Sequence, residues 1–172
     1  MKTFFAFALL AVSAQSFAAF KCTIQTYNGR YLTAVGGGGR TTDVIHSDAT
    51  VARSWETFRL VDSRDGSSPV KYGIKTKKGT YLTAVGGGGR ITDTIHSDSR
   101  RIKAWEKFQL FSLGGGYYNI KTNTGNYVTA VDGGGRITDV IHTDATVAST
   151  WERFKVTCTS PIDGEEIPYY PE

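Results

Sequence analysis

The chain has 172 residues, 40% of them apolar and 21% charged, with 4 Pro and 20 Gly. One ordinary domain with a packed core fits that size, and neither wholesale disorder nor a collagen-like glycine period does. The formal net charge of +4 is too mild to demand a nucleic-acid partner.

Residues 1–18 have the layout of a secretory signal peptide. Lys2 precedes an apolar run from Phe4 to Val12, and Ser16-Phe17-Ala18 puts small residues at the −3 and −1 positions of a cut after Ala18. The run is short for a bilayer, so no membrane span is expected and the product is secreted and extracellular. Cys22 and Cys158 remain after cleavage. An even count in a secreted chain suggests one disulfide, here tying the two ends together. Two buried free thiols are the alternative.

An internal repeat dominates the mature chain. Tyr31-Leu32-Thr33-Ala34-Val35 recurs from Tyr81 and again, as Tyr127-Val128-Thr129-Ala130-Val131, from Tyr127. Over 30 aligned positions, 16 are identical in all three copies. A period in the forties signals repeat architecture. The repeats are 20–62, 70–112 and 116–158, within a domain at 19–159, and a flexible acidic tail is expected at 160–172. Without Lys2 and the four acidic residues of that tail, 19 basic residues face 12 acidic ones.

Each copy reads as about four short strands. Cys22 to Thr26 alternates, and Tyr27-Asn28-Gly29-Arg30 is a turn into a second strand from Tyr31. Gly36 to Gly39 ends that strand, a third covers Asp43 to His46, and Ser47 begins a loop. Trp55 to Leu60 is the fourth. Helical periodicity is absent. Three such units are too few for an ordinary propeller. The expected fold class is all-β, a β-trefoil closed about a threefold axis, in which the first and last strands, and so Cys22 and Cys158, are neighbours.

Ile24, Ile74 and Ile120 with Phe58, Phe108 and Phe154 are expected in the core. Polar identities need another reason. They are Asp43, His46 and Glu56 with their counterparts Asp93, His96, Glu106 and Asp139, His142, Glu152, and they accompany Trp55, Trp105 and Trp151. Strand parity from Phe58 turns Trp55 outward; a Trp lying over a hydrophobic rim is the alternative. Glu56 shares parity with Phe58, is costly to bury as a charge, and is expected at the strand mouth by the Trp edge. A flat indole beside carboxylates and an imidazole suits a pyranose, whose C–H face stacks while its hydroxyls find donors and acceptors. Arg40 either touches a hydroxyl or pairs with Asp43, and Asp48 reads as a loop cap, with a ligand contact as the alternative.

From Tyr31-Leu32-Thr33-Ala34-Val35 to Trp55-Glu56-Thr57-Phe58 the sequence resembles fascin-like β-trefoil repeats. With Gly-Gly-Gly-Gly-Arg and Trp-Glu-x-Phe it looks most like carbohydrate-binding module family 92. The resemblance covers all three copies and implies one shallow site per lobe, at Trp55/Glu56, Trp105/Glu106 and Trp151/Glu152. It implies β-glucan ligands, β-1,6-linked or β-1,3-linked. Asp132 departs from the pattern, since the other copies have Gly there, and Arg100-Arg101 replaces Thr-Val.

The expected function is thus a secreted, monomeric, non-catalytic binder of a polysaccharide or glycan, with no cofactor, no metal and no nucleic-acid partner. Three rival readings stand beside it. The wider resemblance suggests an actin-bundling or scaffold protein, for which a signal peptide points to the wrong compartment. A glycosidase would need a carboxylate pair such as Asp43 and Glu56. A three-His metal site would need His46, His96 and His142 to converge on the axis.

Overall fold

Twelve strands carry the fold in the computed structural model, which describes residues 19–159. The expected signal peptide and acidic tail lie outside the described residues. In the first unit the strands are β1 (Ala19–Gln25), β2 (Tyr31–Ala34), β3 (Ile45–Ala49) and β4 (Thr57–Asp62). The second has β5 (Lys71–Lys75), β6 (Tyr81–Ala84), β7 (Ile95–Ser99) and β8 (Phe108–Gly114). The third has β9 (Tyr117–Lys121), β10 (Tyr127–Ala130), β11 (Ile141–Ala145) and β12 (Arg153–Thr159). Among the described residues the helical content is four single turns of 3-10 helix, and turns and loops make the other connections.

Antiparallel pairing runs β1–β4–β5–β8–β9–β12 and back to β1. Six strands thus close a barrel, which leaves no free edge in the ring. The other six form three hairpins, β2–β3, β6–β7 and β10–β11. Alternation along each barrel strand sends one face inward. Phe58, Phe108 and Phe154 are 0–2% exposed, and Ile24, Ile74 and Ile120 stand among them. Leu60 and Val156 are buried, while Leu110 packs half-buried against the same cluster. Each buried Phe or Ile contributes about 1.5–3 kcal/mol of apolar transfer, so the triplicated set is the main source of stability. Cys22 and Cys158 face each other across the β1–β12 ladder, with Cα atoms 4.0 Å apart, and are joined in a disulfide.

The units interlock in a cycle. Gly39 N donates to Ser97 O at 2.9 Å and Ser97 N to Arg40 O at 2.8 Å. The same exchange joins Gly89–Arg90 to Thr143, and Gly135–Arg136 back to Ser47. This explains a difference from the expected third strand. Ser47 does not begin a loop; it is fully buried inside β3, and its hydroxyl accepts from Arg136 N at 3.1 Å. Asp43 falls outside β3 because its backbone is left-handed, φ 48°. The fourth strand likewise starts at Thr57, and Trp55-Glu56 belongs to the preceding turn.

The cycle requires glycine at one place above all. Gly38 has φ +102°, and a Cβ there would overlap Thr76 Oγ1 of the next unit; Gly88 and Gly134 meet Thr122 and Thr26 in the same way. Gly38→Ala is expected to cost about 2–4 kcal/mol, from strain at positive φ plus overlap with a packed neighbour. Gly29→Ala shares the positive φ, but open space surrounds its Cβ, so it should lose only about 1 kcal/mol. Urea unfolding of the two variants makes the comparison.

Candidate functional site at three seams

In each unit the chain turns sharply before the fourth strand, and that turn presents the tryptophan. Its main chain is anchored: Ala34 N donates to Trp55 O and Ala130 N to Trp151 O, both at 2.9 Å. The indole is not. Trp55, Trp105 and Trp151 are 47%, 48% and 43% exposed, far more than a core tryptophan would be. The ring lies against backbone. A Cβ built on Gly37 would sit 3.3 Å from Trp55 Nε1, and one on Gly87 3.4 Å from Trp105 Cδ1. At the first two seams the missing Cβ therefore lets the Nε1–Cδ1 side of the indole approach the chain closely while the ring stays half open to solvent. At the third, the Asn28 side chain lies nearest the equivalent Gly133.

Glu56 lies elsewhere than the strand mouth. It is 7% exposed, and Glu106 and Glu152 are each 5% exposed. Both carboxylate oxygens are engaged. Thr33 Oγ1 donates to Oε1 at 2.8 Å, and Arg53 N donates to Oε2 at 2.8 Å. Thr83 and Lys103 serve Glu106 likewise, and Thr129 and Ser149 serve Glu152. Burial of the carboxylate is offset by two directed donors. The bond back to the residue three positions earlier is half of a capping box, and Ser149-x-x-Glu152 carries that signature in sequence. The carboxylate thus clamps the turn that displays the indole. Glu106→Ala would orphan the Thr83 hydroxyl and the Lys103 N–H. A loss of about 2–3 kcal/mol is expected, read by thermal melting together with a change in Trp emission.

The seam between units supplies the rest of each tryptophan's surroundings. Lys78 N donates to Gly37 O at 2.9 Å, Thr124 N to Gly87 O at 3.1 Å, and Asn28 N to Gly133 O at 3.0 Å. Gly37, Gly87 and Gly133 are therefore each bound by the first hairpin turn of the following unit. Lys77-Lys78, Asn123-Thr124 and Tyr27-Asn28 reach the three seams. Single-repeat reasoning misses these residues, because the contact crosses from one copy to the next.

Asp43, Asp93 and Asp139 have a second location. They line a funnel of about 590 Å³, walled by 41–45, 91–95 and 137–141, where the three glycine-rich arms meet; none of the tryptophans or glutamates lines it. Each Asp also binds the histidine of its own unit: His46 Nε2 to Asp43 Oδ1 and His96 to Asp93 at 2.6 Å, His142 to Asp139 at 2.7 Å. Arg40 pairs with Asp43 at 3.2 Å, one of the two roles its sequence position suggests. Arg90 and Arg136 approach their Asp partners at 3.6 Å, and Arg136 also binds Asp132. The histidines are thus each held within their own unit, and among the described residues no three His, Cys, Asp or Glu side chains gather as a metal-holding group. Asp48 lies exposed on β3 instead of capping a loop.

Neither a protein-family model nor a curated protein matches the sequence. Solved structures do match in three dimensions. The designed threefold-symmetric protein ThreeFoil superposes with a TM-score of 0.63 at 14% identity, over 80% of this chain and 96% of that one. The Rhizoctonia solani agglutinin gives 0.63 at 12% identity, over 87% and 100%. The fold is theirs. The Polyporus squamosus lectin, solved with a sialylated epitope (Neu5Acα2-6Galβ1-4GlcNAc), gives 0.59 at 17% identity, over 84% of this chain and half of its own length. At such identities the likeness concerns the fold and not any side chain.

Proposed function

We propose that the protein is a secreted, non-catalytic β-trefoil that binds polysaccharide at three shallow sites, one at each seam. The observation that carries this reading is the set of three half-exposed indoles, one per unit in the same turn before the unit's fourth strand. A pyranose presents a weakly polar C–H face of matching size, and stacking on an open ring is how aromatic side chains recognise it. Hydroxyls at the rim would meet the polar side chains of the next unit's turn. Glu56, Glu106 and Glu152 act by holding the ring in place. The Asp–His pairs, Asp43/His46, Asp93/His96 and Asp139/His142, are proposed to supply further hydroxyl contacts to the sugar.

The sugar class we propose is β-glucan, β-1,6-linked or β-1,3-linked, from the resemblance of the repeats. Lectin neighbours of the same fold support a glycan ligand in general terms. The disulfide is consistent with an oxidising, extracellular setting. A single open stacking site of this kind is weak, on the order of 0.1–1 mM. Three on one rigid monomer gain strongly on a polymer, because the second and third contacts form within one complex. Electrophoresis through gels containing β-1,6- or β-1,3-glucan tests the reading: retarded migration is expected in at least one, and unaltered migration in both would reject it.

A further inference from the structure

The three seams share a frame and differ in charge. At the first, Trp55 follows exposed Arg53 by two residues, and the partner turn brings exposed Lys77 and Lys78. Lys77 Cβ would lie 3.6 Å from a Cβ on Gly37, the glycine beneath Trp55, and Lys78 Cδ 3.7 Å from one on Gly39. None of these three cations forms an ion pair with a described residue. At the second seam the same positions hold Lys103, Asn123 and Thr124; at the third they hold Ser149, Tyr27 and Asn28. The aspartate of the third strand recurs in all units as Asp48, Asp98 and Asp144, so it does not distinguish them. At these three positions the seams carry three, one and no cations. The second unit adds Arg100 and Arg101 ahead of Trp105, and Arg153, two residues past Trp151, lies over the Tyr117 ring. The contrast in charge therefore lies between the first seam and the third.

We infer that the seams divide their ligands by charge: the Trp55 seam takes an anionic sugar residue, carrying a carboxylate or a sulfate ester, and the Trp151 seam takes a neutral one. This rests on the reading of the tryptophans as stacking platforms. Stacking supplies the common part of the affinity, and exposed cations on the two turns that meet at the seam add attraction for an anion that salt screens away. The third seam offers an amide and a phenol instead, which suit hydroxyls. One molecule would then bridge an acidic and a neutral polysaccharide.

The chain has three Trp in all, so the three indole N–H signals of a ¹⁵N-labelled sample report the seams separately, once single Trp→Phe variants assign them. Three probes are titrated: a trigalacturonate, a sulfated trisaccharide and a neutral β-1,6-linked glucose trimer. The Trp55 signal is expected to respond to at least one acidic probe at about tenfold lower concentration than to the neutral one, with the preference lost in roughly 0.5 M salt. The Trp151 signal should show no such preference. Grafting the third seam onto the first with Arg53→Ser, Lys77→Tyr and Lys78→Asn should erase it, while the neutral probe still binds. Which acidic probe responds separates carboxylate from sulfate. Equal response of all three indoles to the acidic probes, or a preference that survives the graft, would overturn the division by charge and leave the stacking reading intact. Silence of every indole toward all three probes would overturn both.

Discussion

Replacing Trp55, Trp105 and Trp151 together by alanine is expected to abolish retention on insoluble β-glucan while leaving the fold intact. The reason is the position of the rings. About half of each indole already faces solvent, and the buried part of the turn is held by other atoms: the Glu carboxylate and the main-chain bond to β2 or β10. Truncation therefore removes the stacking surface at little cost to the barrel, and the melting temperature should fall by only a few degrees. Single variants should each lose part of the bound fraction. On a polymer the loss per site exceeds one third, because contacts formed on one rigid body multiply. A pull-down with the wild type, three single variants and the triple variant measures the series. Undiminished retention of the triple variant would place the ligand elsewhere, with the axial funnel the first location to examine.

The second large effect concerns the closure of the barrel. Cys22→Ser with Cys158→Ser is expected to lower stability by about 4–5 kcal/mol on the chain-entropy view, since the bridge spans 136 residues and restricts nearly the whole unfolded chain. The bridge joins β1 to β12, the one barrel pairing that connects the first described strand to the last. Without it, that seam is held by the ladder and by Ile24 opposite Val156. Guanidinium unfolding of the oxidised and double-serine proteins measures the difference. A change under about 1 kcal/mol would mean that the ladder alone fixes the ends.

Much of the architecture is legible in the repeat. Ile24, Phe58 and their counterparts alternate as barrel residues must, and they are the core. The pairing of Cys22 with Cys158 agrees with their places near the two ends. Parity predicts outward indoles, although the structure reaches that result by another route: Trp55 sits in a turn, where alternation does not apply. The same fact hides the glutamates. Extending the strand through Trp55 sends Glu56 toward the core as an unpaired charge, which makes the mouth its only tolerable place. Its true partners, the Thr33 hydroxyl and the Arg53 N–H, become visible only when the turn folds back on the second strand. Ser47 is hidden for a related reason. Nothing near it in sequence marks it as buried, because the group it serves is Arg136, 89 residues away. Local pattern reveals what a unit does for itself and is silent on what it does for the next.

That interdependence reaches beyond this chain. Every arm is completed by the unit after it, and the last by the first. A fragment of one or two units would expose unsatisfied amides and an open row of strand edges. Three units complete the circle, so a single lobe could satisfy its edges only by assembling with two others in the same cyclic order.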